Sequence, residues 1–451
     1  MLFIVHDLYQ EDNQFPLNIA YLASILENNG YTVETYCMDV YHYTNKELAK
    51  KLDNNEYKII GLSFMAARFN ETVRELCKVI NKHKKDAWLV LGGHGPSPIP
   101  DYMLKTTKCD AVVVGEGEYA ILDLMKDKSK NINKHIYQNM PIKHIDDVPF
   151  PAWHLFPMDK YIGVMHWNNG VSMQLISSRG CINRCTFCYR LEKGLRLRSI
   201  DNLMEEMMYL NSKYGVDTFQ FQDELFLISE KRIDKFNKAL KDNGLEIGYT
   251  ANARVDILNE RVATKIKDGG CLLLNVGFES SSQEVLDYMK KNVKVEENMN
   301  ALKVLKKVGL PAGLNFIWGY PPDNKDTLFE NARLIKKHNL YKQCRTIRPV
   351  TAYPGCELYY EAIDKKLIDG PEDFFNKFKN SDLMTINHTN YPTELCYKWL
   401  LEVNTDLIHD HYLHTTGNPH DGDYLIKQFD DLYSGRITKF RGSRHYNKDE
   451  E

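Results

Sequence analysis

No stretch of this sequence approaches 18 consecutive apolar residues, the length a transmembrane helix needs. Positive charge is not in excess either. Lysine and arginine number 58 against 61 aspartate and glutamate, a formal net charge of −3, so no global basic field holds a nucleic acid. The opening MLFIVHDLYQEDNQF lacks a basic n-region and turns acidic within a few residues; it reads as a first strand, not a secretion signal. Cysteine is too sparse for a disulfide scaffold, with ten in 451 residues. Seven are scattered: Cys37, Cys77, Cys109, Cys271, Cys344, Cys356 and Cys396. These absences point to a cytoplasmic protein with reduced thiols. Composition is ordinarily globular, 43% hydrophobic and 26% charged, and the length allows two or three domains.

The first ~125 residues alternate strand and helix patterns, as a parallel sheet with crossover helices does. LFIV, YTVETYCM, KIIGLSF, AWLVLGG and DAVVV read as strands. PLNIAYLASILENNG, NKELAKKLDN and NETVRELCKVINKHKK read as helices between them. The pattern predicts a doubly wound, Rossmann-like α/β domain over residues 1–135, with ligands held at the carboxyl ends of the strands. Those ends carry Asp39, Ser63, Gly92, Gly93, His94, Gly95, Gly115, Glu116 and Gly117. Residues 136–170 are rich in proline and aromatics and predict a linker that wraps rather than a free tether. A second alternating series begins at 171 with the runs SMQLIS, DTFQFQ, IGYTANA, LLLNVGF, AGLNFIWG and TIRPVTAY. It predicts a partial (β/α)6 barrel over 171–360, with an active site at its carboxyl face. Residues 361–451 predict a mixed, helical C-terminal segment ending in a disordered SRHYNKDEE tail.

Only Cys181, Cys185 and Cys188 cluster, in SSRGCINRCTFCYRL. The spacing is C-x3-C-x2-C. On a helix the three would share one face, but Gly180 and the polar Asn183 and Arg184 argue against a helix here. A structural zinc site takes four protein ligands, usually as C-x2-C pairs, and no second pair follows. An iron–sulfur cube suits one short loop that supplies several thiolates. Three cysteines leave one iron open, as a catalytic metal site requires.

This loop after the first barrel strand, with Phe187 before its last cysteine, resembles the radical S-adenosylmethionine (SAM) superfamily. The resemblance implies a [4Fe–4S] cluster on Cys181, Cys185 and Cys188. It also implies SAM chelated at the open iron and cleaved by one electron to a 5′-deoxyadenosyl radical. Later strand ends fit the family's order. Gln222, Asp223 and Glu224 in FQDEL would hold the SAM amine, and Arg254 in TANARVD its carboxylate. Glu279 and Ser280 in VGFESSS would lie near the ribose, while Trp318 and Gly319 in FIWGYP would edge the adenine. PVTAYPGCELY matches a late family segment, with Cys356 where threonine is usual.

LVLGGHGPSPIPDYML and DAVVVGEGEYAILDLM resemble the cobalamin (B12)-binding domain that precedes many such barrels. The strand-end residues named above are then the corrin candidates, with glycines that permit close backbone approach. The D-x-H-x-x-G motif that ligates cobalt in the methionine-synthase type is missing. Asp39 and His42 have the wrong spacing and no following glycine.

With cobalamin bound, the chemistry implied is C-methylation of a small molecule or natural-product precursor. Without it, dehydration, epimerisation or cyclisation remains open, and no residue separates these. A methylthiotransferase acting on tRNA would need three further ligands. Cys77 and Cys109 lie outside strand-end loops, and the basic RITKFRGSR is short, so a nucleic-acid partner is not expected. The partners implied are a small-molecule substrate and an external electron donor of flavodoxin or ferredoxin type.

Overall fold

A computed structural model of the chain describes residues 1–7, 14–163, 170–192, 194–226 and 228–438. The tail 443–451, expected to be disordered, and residues 164–169 of the linker lie outside them.

Strands Leu2–Val5 (β1), Glu34–Cys37 (β2), Ile59–Ser63 (β3), Trp88–Gly92 (β4), Ala111–Val114 (β5) and Ile136–Gln138 (β6) form one sheet, ordered β2-β1-β3-β4-β5-β6. Every pairing in it is parallel. Helices cover both faces, so β1 is buried at all four positions and reads as an unbroken apolar run. Strand order reverses between β1 and β3, which opens a crevice outside their carboxyl ends. Residues 136–138, expected in the linker, instead complete the sheet. Val112–Val114 offer a free edge that a three-residue strand pairs without needing an apolar pattern of its own.

The rest of the linker wraps. Phe15 meets the rings of Trp153, Phe156 and Tyr161 at 4.6, 5.0 and 5.2 Å, and Ala152 N donates to Ala20 O at 3.0 Å. This aromatic packing anchors the linker on the first domain.

The second unit holds Ser172–Leu175 (β7), Ser178–Cys181 (β8), Gly194–Leu197 (β9), Thr218–Phe221 (β10), Gly248–Ala253 (β11), Cys271–Glu279 (β12), Ala312–Trp318 (β13) and Arg348–Pro349 (β14). Six of them make a parallel half-barrel, β7-β10-β11-β12-β13-β14. Its helices start on side-chain caps: Ser199, Ser229, Asn259 and Asn324 each accept from a backbone N–H three residues on. The sixth strand, read from TIRPVTAY, shrinks to two paired residues, because Pro349 has no N–H to extend a ladder. Between β7 and β10 the chain leaves the barrel as an antiparallel hairpin, β8–β9.

Helices Thr393–Thr416 and Asp423–Tyr433 of the C-terminal segment pack together, and the first also packs on barrel helix Lys325–His338. Asn404 bonds both polar groups of Ile347, holding the approach to β14 (2.8 and 3.1 Å). Among the described residues no helix is long and apolar enough to cross a membrane.

Candidate cluster and cofactor site

β7 ends at Leu175, and the chain turns through Ser177 and Ser178 into β8 and the cysteine loop. Asp223 braces that turn from the end of β10. Its carboxylate accepts from Ser177 N at 2.6 Å and from Ser177 Oγ. Burial pushes its pKa up, against those hydrogen bonds. Gly180 has φ +80°, and a Cβ there would lie 2.3 Å from Gly194 O, so only glycine closes this hairpin. From Cys181 to Cys188 the backbone is not helical. The far side of the loop is pinned where Thr186 N donates to Met289 O and Leu358 N to Thr186 O, both 2.9 Å.

Cys181, Cys185 and Cys188 form no disulfide. Burial pushes the Cys185 thiol up, while Lys291 and Arg254 pull it down. Cys188 is exposed at the loop's end, yet the protein packed around it, and then the charge of Glu224, pushes its thiol up. A bound metal would supply the charge that deprotonates such thiols. Three thiols on one loop are a soft set that suits an iron–sulfur cube.

The SAM candidates divide. Gln222 and Glu224 are exposed and line a cavity; Asp223 points the other way, into its brace. Arg254 is 8% exposed, and its fork meets protein groups. Nη1 and Nη2 each lie 3.2 Å from Lys291 O. With the Asn183 amide oxygen facing its donors, that oxygen lies 3.2 and 3.1 Å from Arg254 Nε and Nη1. The arginine expected to meet a carboxylate thus ties the cysteine loop to the turn at 291. Glu279 has φ +63° and pairs with buried Lys291 at 2.7 Å. A non-glycine residue in that conformation marks a place where the surroundings over-determine the backbone. Ser280 is fully buried, and its Oγ accepts from Ser282 N. Trp318 is buried, with Nε1 donating to Asn324 O. Trp318 O and Gly319 N are also bonded, to Val350 N and Asp323 Oδ2. Gly319 is buried as well, with Met384 Cε 3.6 Å and Val350 Cγ1 3.8 Å from where a Cβ would sit. Phe187 sits edge-on to Tyr320, 6.5 Å between centroids.

The corrin candidates gather around the same cavity, about 750 Å³ in volume. That lies within the range of cofactor pockets. Gly93 has φ +92°, and a Cβ there would lie 2.7 Å from Ser63 Oγ; at Gly95 it would lie 2.7 Å from the Phe64 ring. Both glycines press the β4 loop onto the β3 loop, leaving a smooth cradle. Ser63 Oγ accepts from Asn18 at 2.6 Å. His94 is half-buried, edge-on to Tyr189 at 6.0 Å, and burial lowers its pKa. Asp39 is buried beneath Tyr161, whose hydroxyl lies 3.0 and 2.8 Å from its two oxygens. Burial, opposed by that hydrogen bond, pushes Asp39 up to about 7. His42 pairs with Asp7 at 2.9 Å. Glu116 meets arginines from the hairpin, and Gly92, Gly115 and Gly117 line the cavity between.

Comparison with known proteins fits this arrangement. Residues 175–335 match the model of the radical SAM superfamily, and residues 11–125 that of the B12 binding domain. An uncharacterized methyltransferase of Pyrococcus horikoshii is 31% identical, over 78% of this chain and 79% of that protein. The chain belongs to the radical SAM superfamily. It is an enzyme of that superfamily with a B12-binding domain, and its cofactors are a [4Fe–4S] cluster, SAM and cobalamin. Cytidylyl-2-hydroxyethylphosphonate methyltransferase of Streptomyces wedmorensis is 24% identical, over 68% of this chain and 69% of that one. The fold also matches the cobalamin-dependent SAM radical enzyme OxsB, solved with aqua-cobalamin and SAM. The TM-score is 0.67 at 18% identity, covering 96% of this chain and 71% of that chain.

Several residues that pack around these candidates carry no local signal. Lys291 follows the helix Gln283–Tyr288 in a plain basic run, and Tyr161 lies in the linker. Arg179 and Arg196 are ordinary charges on a short hairpin until the first domain meets them. The buried Cys37 packs in one apolar core, and Cys77 and Cys109 pack in another.

Proposed function

We propose that this radical SAM enzyme methylates an unactivated carbon of a small-molecule substrate, with Cys181, Cys185 and Cys188 as the cluster ligands. When bound, the cluster and SAM supply a hydrogen-abstracting organic radical, and cobalamin supplies the methyl group. One observation carries the reading. The cavity at the strand ends of the first domain is also walled by Gln174, Ser178, Gln222 and Glu224 of the barrel. Two of the SAM candidates, Gln222 and Glu224, therefore share a cavity wall with the corrin candidates, where a substrate could reach both sites. The chain's own residues shape that space. Asp223 and Gly180 fix the root of the cysteine loop, Arg254 and Lys291 hold its inner side, and the Gly93 loop keeps the opposite wall smooth. An acidic electron carrier of flavodoxin or ferredoxin type would supply reducing equivalents.

The test is anaerobic reconstitution with iron, sulfide and hydroxocobalamin, followed by reductant and SAM. Bound corrin at about one per chain, with release of both 5′-deoxyadenosine and S-adenosylhomocysteine, is the expected outcome. Radical cleavage with no corrin retained, and no S-adenosylhomocysteine, would overturn methyl transfer.

A further inference from the structure

Arg179 and Arg196 stand directly opposite each other across the β8–β9 ladder. Like charges in that position destabilise a hairpin, and this hairpin carries the first cluster cysteine at its end. What offsets the repulsion comes from the other domain. Glu116, on the turn after β5, takes Arg196 Nη1 at 2.9 Å and Nη2 at 2.7 Å, and Arg179 Nη1 at 3.2 Å. Glu118 takes Arg179 at 2.7 Å. All four side chains are at most 16% exposed. The linker is threaded into the same knot: Ile142 N donates to Glu116, and Arg196 donates to Ile142 O. Glu116 stays ionised, since Arg196 and Arg179 outweigh the penalty of its burial. The chain leading into β9 closes on the same turn, for a Cβ on Gly115 would lie 2.6 Å from Glu192 Oε1. Meanwhile Gly115 and Gly117, which frame Glu116, line the cavity proposed for the corrin.

We infer that Glu116 and Glu118 are positioning residues: they dock the cluster-bearing hairpin onto the first domain, so that filling the crevice orders the cysteine loop. This rests on the corrin reading of the cavity. The mechanism is a coupling between two sites through one buried ion network. A ligand that braces the Gly115–Gly117 turn braces the carboxylates that hold Arg179 and Arg196. Breaking one partner of such a network leaves the arginines buried and facing each other.

The experiment is hydrogen exchange on the full chain, with and without hydroxocobalamin, in wild type and in Glu118→Gln, which removes the carboxylate partner of Arg179. The visible spectrum is read in parallel to confirm saturation. In wild type, hydroxocobalamin slows amide exchange of the β8–β9 segment by about fivefold or more. In Glu118→Gln, corrin at saturating concentration still gives its bound spectrum, but the slowing of the segment is largely lost. Glu118→Asp restores part of the response. A residue that only stabilised the fold would loosen the hairpin equally with and without corrin. Corrin that binds wild type without slowing the hairpin overturns the coupling alone. Corrin that fails to bind wild type overturns the cofactor reading and the coupling with it.

Discussion

Lys291 and Glu279 show how much a single pair decides. Both are buried, 2.7 Å apart, beside Cys185. Lys291→Met strands the Glu279 charge, which costs about 3–5 kcal/mol. The denaturant midpoint should fall accordingly, and Glu279→Gln in the same chain should recover most of the loss. A single-variant midpoint equal to wild type would refute the pairing. Asp39 gives a pH signature. Its folded pKa stands near 7 against an ordinary 3.8, so the folded state favours the protonated acid. That contribution is full below the ordinary value and is lost as pH rises through about 7. Asp39→Asn, which keeps an acceptor for Tyr161, should therefore gain stability relative to wild type as pH rises through that window, then hold level. Urea unfolding across the window checks it, and a difference that stays flat with pH contradicts it.

Among the elements, the β4 turn bears most directly on the proposed corrin site. Gly93 is held at positive φ with Ser63 Oγ and Phe64 O directly beside its missing Cβ. Gly93→Ala must strain the backbone or push the β3 loop into the cavity. Hydroxocobalamin affinity should fall by about tenfold, the equivalent of 1–2 kcal/mol, while the far-ultraviolet circular dichroism stays unchanged. Titration by visible absorbance reads the affinity, and an unaltered value would remove this loop from the corrin site. The hairpin β8–β9 is the contrasting element. Neither arm has an apolar pattern, and its conformation is held by glycines at 180 and 194 and by carboxylates from another domain.

At the scale of the whole molecule, two α/β units are joined by a linker that belongs to the first, and their facing strand ends enclose one cavity. The proposed cluster ligands and the proposed corrin contacts lie in different units, within residues 175–335 and 11–125. Cys185→Ala should therefore abolish 5′-deoxyadenosine formation and lower iron content, yet leave the chain folded and able to take up hydroxocobalamin. Retained SAM cleavage by this variant would refute the ligand assignment. The expected doubly wound domain and partial barrel are both present, because their strands are buried on both faces and announce themselves as apolar runs between amphipathic helices. β6 and β14 escaped correct bounds, being edge strands of three and two residues set by what their neighbours offer.

By itself the sequence determined the chemistry available. Three cysteines on a short glycine-led loop, strand ends in a fixed order and glycines at close approaches are local facts, legible because each depends on neighbours in the chain. Only the tertiary structure decided how those groups are used. It set Asp223 and Arg254 against the loop they brace, brought Lys291 to Glu279 and Tyr161 to Asp39, and set Glu116 against two arginines some 60 to 80 residues away. Charge pairing and burial act through space, and separation along the chain leaves no mark of which partner will arrive.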